Sequence, residues 1–209
     1  MEVKLIAITK YLAGNGSPEE LIEHAGRVCY RSEPKGSAGR FIRRRVSEGH
    51  ESIIEHASAT FEISGISRAC SHQLVRHRIA SYSQESQRYV DMSNPEYVLP
   101  PSVADNEAAK VAFGKLTEAV SQAYKELRVL EIPKEDARFV LPNAAATRIV
   151  VTMNFRSWRH VIRERALNPG AQWEISELAS RVLDALHEAA PNVFQDLVDE
   201  RARLQTSRR

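Results

Sequence analysis

Apolar positions recur along this chain with two periods. Val3, Leu5 and Ala7 mark one side of an alternation that predicts an opening strand. Ala57, Ala59, Phe61 and Ile63 alternate with Ser58, Thr60, Glu62 and Ser64, predicting a half-buried strand that ends at Gly65. Ile149, Val151 and Met153 form one face of a third strand. Between these the spacing lengthens to three and four. Ser17-Pro18-Glu19-Glu20 opens a helix, with a serine cap, proline in the first turn and glutamate three residues after the cap. Leu21, Ile22, Ala25, Val28 and Cys29 continue it, which puts the Cys29 thiol on the packing side. A short helix follows, with Phe41, Ile42 and Val46 inward and Arg43, Arg44 and Arg45 largely outward. Ile66, Ala69, Cys70 and Leu74 run at helical spacing up to Arg76. The longest helix spans 103–130; its Val111, Leu116, Val120, Ala123, Leu127 and Leu130 are core or subunit-interface material, and Pro133 stops it. Residues 154–165 read as helix. At about 100° per residue, Asn154 and Arg165 share roughly one side, and Arg156 and His160 lie on nearly the other. Residues 171–175 begin the last long helix, packed through Leu178, Ala179, Val182, Leu183 and Leu186, and residues 201–209 are expected to be a frayed basic tail.

Length and composition fit one domain. The chain has 209 residues, 43% of them hydrophobic, enough for a single core. Its 29 basic and 27 acidic residues leave a formal charge of +2, too near balance for a polyelectrolyte partner of nucleic acid. Two cysteines make no disulfide framework and fit buried thiols in a reducing compartment. The start lacks the apolar core of a signal peptide and no apolar run reaches membrane-spanning length, so the expectation is a cytoplasmic protein with no membrane partner.

The chemistry concentrates in Arg76-His77-Arg78-Ile79-Ala80-Ser81-Tyr82-Ser83-Gln84-Glu85-Ser86-Gln87-Arg88. Little of it is apolar. Arginine forks suit phosphate and carboxylate oxygens, and histidine and serine add short donors and acceptors. The stretch reads either as the lining of a pocket for an anionic ligand or as a solvated basic strip for nucleic acid. There is no P-loop and no Gly-x-Gly-x-x-Gly, so phosphates are expected on arginine rather than on a helix N-terminus. No cysteine or serine has an evident paired base, which disfavours a covalent protein nucleophile. His50, Glu51, Glu55 and His56 invite a metal reading, but His50 and His56 lie six apart, on opposite sides of a helix, and no metal site is expected.

The spacing of Arg76, His77, Arg78, Ser81, Ser86 and Arg88 resembles the R-H-R-x-x-S-x-x-x-x-S-x-R signature of the flavin-dependent thymidylate synthases, the ThyX family. Three further segments resemble that family: Gly49-His50-Glu51 before a long strand, Arg138-Phe139-Val140-Leu141-Pro142, and Ala171-Gln172-Trp173-Glu174-Ile175 shortly after Arg165. The resemblance implies an α+β fold, a twisted, largely antiparallel sheet with packed helices, in one ThyX-like domain assembled as a homotetramer. It implies conversion of dUMP to dTMP with FAD as cofactor, NADPH as reductant and 5,10-methylenetetrahydrofolate as one-carbon donor.

Carried over by position, the resemblance makes Arg165 the residue that polarises the pyrimidine. It gives FAD contacts to Ser52, Arg76, His77, Arg78, Gln84, Asn154, Phe155, Arg156 and His160, with His50 and Glu55 as further candidates. It gives dUMP contacts to Gln73, Leu74, Val75, Arg76, Gln84, Glu85, Ser86, Gln87, Arg88, Arg138 and Arg165. His160 stands where some members carry asparagine, Ser83 where many carry asparagine, and Ser52 where threonine is frequent. The rival readings are a nucleic-acid-binding module using the arginine-rich segments, and a different flavin- or nucleotide-dependent transferase.

Overall fold

The computed structural model describes residues 1–34 and 36–206. Four strands, β1 (Glu2–Ile8), β2 (Ser58–Ser67), β3 (Ser81–Gln84) and β4 (Ala146–Asn154), form one sheet in the order β1-β2-β4-β3. The helices are α1 (Pro18–Tyr30), α2 (Ala38–Ser47), α3 (Arg68–Leu74), α4 (Pro101–Ala104), α5 (Glu107–Val129), α6 (Lys134–Ala137), α7 (Phe155–Ile162), α8 (Trp173–Ala189) and α9 (Pro191–Thr206). The fold class is thus α+β, as the resemblance implied. The residues gather into two compact units, each discontinuous along the chain: residues 1–2, 63–76 and 83–149 in one, and residues 3–62, 77–82 and everything from Val150 onward in the other.

The second unit carries the larger core. The Phe155 amide donates to the Ala57 carbonyl (2.8 Å), and the Thr9 amide to that of Ser58 (2.9 Å). These bonds set β1 and β4 against the start of β2, and Ala57, Ala59 and Phe61 turn inward with complete burial. Trp158 of α7 lies edge-on to Phe61 (centroids 5.1 Å apart) and donates its indole N–H to the Ala59 carbonyl at 3.1 Å. Phe155 packs edge-on against Phe194 of α9 (5.3 Å). The five apolar positions expected on α8 are all fully buried. At about 1.5–3 kcal/mol for each large aliphatic side chain, that stripe fixes α8 firmly. Gly26 lets α1 and α2 approach: a Cβ there would stand 2.6 Å from the Phe41 ring.

The other unit packs α5 over a small cluster of Met92, Tyr124 and Ala137, flanked by Leu127, Ile132, Val140 and Leu141. The Arg68 amide donates to the Ala145 carbonyl (3.0 Å), so the end of β2 meets the start of β4; with Ala57 bonded to Phe155 at their other ends, the two strands run antiparallel.

Several expectations change in the folded chain. β2 does not stop at Gly65. That glycine takes φ +67°, a left-handed conformation open to it at little steric cost, and the strand continues to Ser67, whose hydroxyl caps α3 by accepting from the Cys70 amide at 3.0 Å. The long helix begins at Glu107, not at 103, because Asn106 caps it by accepting from the Ala109 amide. Only Tyr124 of α5 is buried, and Val111 and Leu116 are 55% and 57% exposed. The helix begun at Trp173 is not the last. Pro191 starts α9, and Arg201, assigned to a frayed tail, is bound to Asp184 at 2.5 Å within a helix that runs to Thr206; the end of that tail, 207–209, lies outside the described residues. Cys29 is exposed rather than packed, as is its neighbour Val28 (66%) in the last turn of α1. No helix among the described residues is long and apolar enough to cross a membrane.

Candidate active site

Arg165 sits on a single π-helical turn, Arg163–Leu167, that follows α7. The wider turn breaks the 100° step beyond Ile162, so the helical arithmetic that paired Arg165 with Asn154 does not reach it. Such turns re-aim side chains and recur at functional sites. The Arg165 Nε donates to His77 Nε2 at 3.1 Å. His77 must therefore be unprotonated at Nε2 and carry its proton on Nδ1. Burial pushes the His77 imidazole down to about 4, and the cation of Arg165 and the neighbouring His160 push the same way. His160 stands edge-on to it, with centroids 5.7 Å apart. From behind, Tyr82 donates its hydroxyl to the His77 carbonyl at 2.7 Å, and burial raises that phenol to about 12, so it stays a donor.

A second group of charges in the same unit surrounds Glu51, in the short 3₁₀ turn Glu51–His56. Glu51 Oε1 accepts from Arg159 (3.3 Å) and Arg163 (2.9 Å), and Arg156 lies 3.9 Å from Oε2. Burial opposes ionisation of Glu51, but Arg163 and Arg159 outweigh it and hold the carboxyl below its usual range. Arg159 is fully buried. It grips both oxygens of Asp196 (2.7 and 2.6 Å) and donates to the Val193 carbonyl. These pairs lock the turn that carries Ser52 and Glu55 onto α7 and α9.

Besides His77, the FAD candidates in this unit fall into two groups. Ser52, Arg78, Arg156, His160, His50 and Glu55 are exposed, and Arg156 is bound to Glu55. The other two serve the fold. Asn154 caps α7, its side-chain carbonyl accepting from the Ser157 amide at 2.8 Å. Phe155 is fully buried with its amide already bonded.

The dUMP candidates, apart from Arg165, belong to the other unit. Gln73, Leu74, Val75 and Arg76 close α3; the Leu74 side chain is fully buried, while Val75 and Arg76 are exposed. Gln84, at the end of β3, donates its amide to Ser71 Oγ (2.9 Å) and Thr147 Oγ1 (3.2 Å), leaving its carbonyl for other use. The Glu85 amide donates to the Arg148 carbonyl (2.9 Å), and the Glu85 carbonyl accepts from Arg68 (3.1 Å). Ser86 Oγ accepts from the Arg88 amide at 3.3 Å, so the hydroxyl shapes a turn, with Gln87 inside it. Arg88 is paired with Glu135 at 2.8 Å, and Arg138 Nε donates to the Glu135 carbonyl at 3.0 Å. Lys134 reaches the Tyr89 carbonyl at 2.8 Å, so the α6 turn holds residues 88–89 from one side.

Sequence reasoning missed Arg68, Tyr82, Glu135, Glu51, Arg159 and Asp196 as parts of these clusters. Arg159 had one available signal, the three-and-four spacing of Arg156, Arg159 and Arg163. The partners of that row lie 108 and 37 residues away from Arg159, and nothing local announces them.

What these clusters offer is a neutral imidazole aiming a guanidinium, and arginine, histidine and hydroxyl donors set for anionic oxygens. The chain matches the family model described as "Thymidylate synthase complementing protein" over residues 9–192. It is 44% identical over 205 residues to a flavin-dependent thymidylate synthase of Nitratidesulfovibrio vulgaris, covering 88% of this chain and 83% of that protein. It is 47% identical over 190 residues to that of Geobacter sulfurreducens (86% and 82% covered), and 41% identical over 225 to that of Mycobacteroides abscessus (94% and 89%). With a match running nearly end to end and the signature arginines and histidine in place, the chain belongs to the flavin-dependent thymidylate synthase family.

Proposed function

We propose that this protein makes dTMP by reductive methylation of dUMP, with FAD as cofactor and with NADPH and 5,10-methylenetetrahydrofolate as co-substrates. The observation that carries the reading is the Arg165–His77 hydrogen bond, which fixes a guanidinium at a defined orientation on a π turn. Set against N3 and O2 of a uracil, that cation favours the deprotonated ring and makes C5 the better nucleophile toward the folate's methylene carbon. Bound and reduced FAD supplies the hydride that completes the methyl group. The residues fit an anionic dinucleotide. Ser52, Arg78, Arg156 and His160 are exposed donors, and Arg78 makes no bond within the described residues, so its fork is available for phosphate oxygens. His77 serves the flavin site as a neutral ring, and Asn154 and Phe155 serve it through the geometry of α7. Gln73 to Arg76, Gln84 to Arg88 and Arg138 hold the nucleotide. The protein supplies no covalent nucleophile: Cys70 is fully buried, and Ser86 faces a backbone amide, not a base.

The assembly is a homotetramer with active sites shared between subunits. What supports it is the apolar surface of α5, where Val111 and Leu116 remain exposed in the protomer. The protein works in the cytoplasm.

The test is a visible spectrum of the purified protein, followed by NADPH with and without dUMP. A flavin band that bleaches faster with dUMP, and dTMP on addition of methylenetetrahydrofolate, is the expected result. No flavin band after FAD is supplied would refute the reading. Mass by light scattering tests the assembly: a fully active monomer rules out shared sites.

A further inference from the structure

Arg68 opens α3, and its side chain is held in an unusual state. Nη2 donates to the Glu85 carbonyl at 3.1 Å. Nε is buried and meets no acceptor among the described residues. Nη1 has no partner among them either. No carboxylate of the described residues lies within ion-pair distance of this guanidinium, although Glu85 acts on it favourably from further off. Burial and the nearby charge of Arg138 both press its pKa down. The Arg68 guanidinium is therefore partly desolvated, with unused donors; the Glu85 carboxylate outweighs the charge of Arg138 on it but does not reach ion-pair distance.

A protein rarely leaves a cation in that condition. Buried donors are almost always satisfied, and buried charges are almost always paired. An arginine with unused fork donors is suited to a phosphate or carboxylate oxygen. The contrast with Arg88 is sharp, because that arginine already has Glu135. The hydrogen bond to Glu85 also ties Arg68 to the residues proposed to hold the nucleotide.

We infer that Arg68 is a further nucleotide-site residue, its guanidinium reserved together with Arg138 for the phosphate of the bound nucleotide. This rests on the proposed reaction, in which dUMP is the nucleotide. Arg68 acts on the phosphate end of the ligand. In the ligand-free protein the unpaired cation costs stability, and the phosphate dianion relieves that cost on binding.

The test is calorimetric titration of the FAD-loaded protein with dUMP and, separately, with deoxyuridine, which lacks the phosphate. The proteins are the wild type, Arg68→Gln and Arg68→Lys. The flavin spectrum and thermal midpoint of each show that it is folded. Arg68→Gln should weaken dUMP roughly ten- to a hundredfold, as loss of a charge-assisted contact does, and leave deoxyuridine within about twofold. Arg68→Lys keeps the charge and should recover part of the loss. Unchanged dUMP binding in Arg68→Gln overturns the inference. Equal weakening of dUMP and deoxyuridine also overturns it, since Arg68 then acts only by holding the backbone at Glu85. A wild type that binds no dUMP overturns the proposed reaction itself, and the inference with it.

Discussion

Arg165 hydrogen-bonds through Nε to Nε2 of His77, a residue 88 positions earlier in the chain. The bond uses the one arginine nitrogen that cannot join a bidentate fork from the two terminal amino groups, so those groups stay free for a ligand. It also demands that His77 be neutral, and burial secures this. The Arg-His-Arg signature thus has a structural reason for the histidine between its two arginines.

Arg165→Ala removes the cation and leaves His77 and the flavin candidates in place. FAD is retained and dTMP formation falls by roughly 10²–10³, the scale for a lost preorganised charge. Flavin absorbance and single-turnover dTMP yield measure the two separately. Turnover near the wild-type rate would take Arg165 out of its role.

His77 has a pH signature. Its folded pKa of about 4 lies below the ordinary 6.5, so between those values the unfolded chain binds the proton that the folded chain refuses. The contribution to stability is complete above pH 6.5 and is lost as the pH falls toward 4. His77→Gln can still accept from Arg165 but does not titrate. Its thermal midpoint should fall less steeply than that of the wild type across this window. Parallel slopes would show that His77 does not titrate with folding.

Arg159→Leu leaves Asp196 and Glu51 short of the buried cation that joins them. Losing one partner of such a network costs about 3 kcal/mol, visible as a lower urea midpoint. Arg159→Lys does not restore it, because an ammonium cannot grip both Asp196 oxygens and reach Glu51 and the Val193 carbonyl. A wild-type midpoint in Arg159→Leu would mean the network contributes nothing to stability.

Glu135→Gln breaks an exposed pair with Arg88, which should change stability by under about 1 kcal/mol. It releases Arg88 from competition, so dUMP should bind severalfold tighter at low salt, with the gain shrinking as salt rises. Weaker dUMP binding would instead make Glu135 the residue that holds Arg88 in position.

Local pattern determined much of this protein. The alternation at 57–63 and 149–153 is set by which face of a strand meets a core, and the stripe on α8 by the turn of a helix, so both were legible. The capping of α1 by Ser17 was legible because a cap and the amide it serves lie two residues apart. The signature at 76–88 named the family, since six fixed side chains at fixed spacing record the chemistry of one ligand set. Other features were decided only by tertiary structure. The exposure of Cys29 depends on which elements pack against α1 in the folded chain. The burial of Arg159 depends on Glu51 and Asp196 arriving from distant elements, and a charged residue in a helix looks the same in sequence whether it faces water or a carboxylate. The π turn under Arg165 departs from the α-helical step and is not written in the apolar spacing of residues 154–165. The unpaired state of Arg68 is the absence of a neighbour, a property that exists only once every other side chain has taken its place.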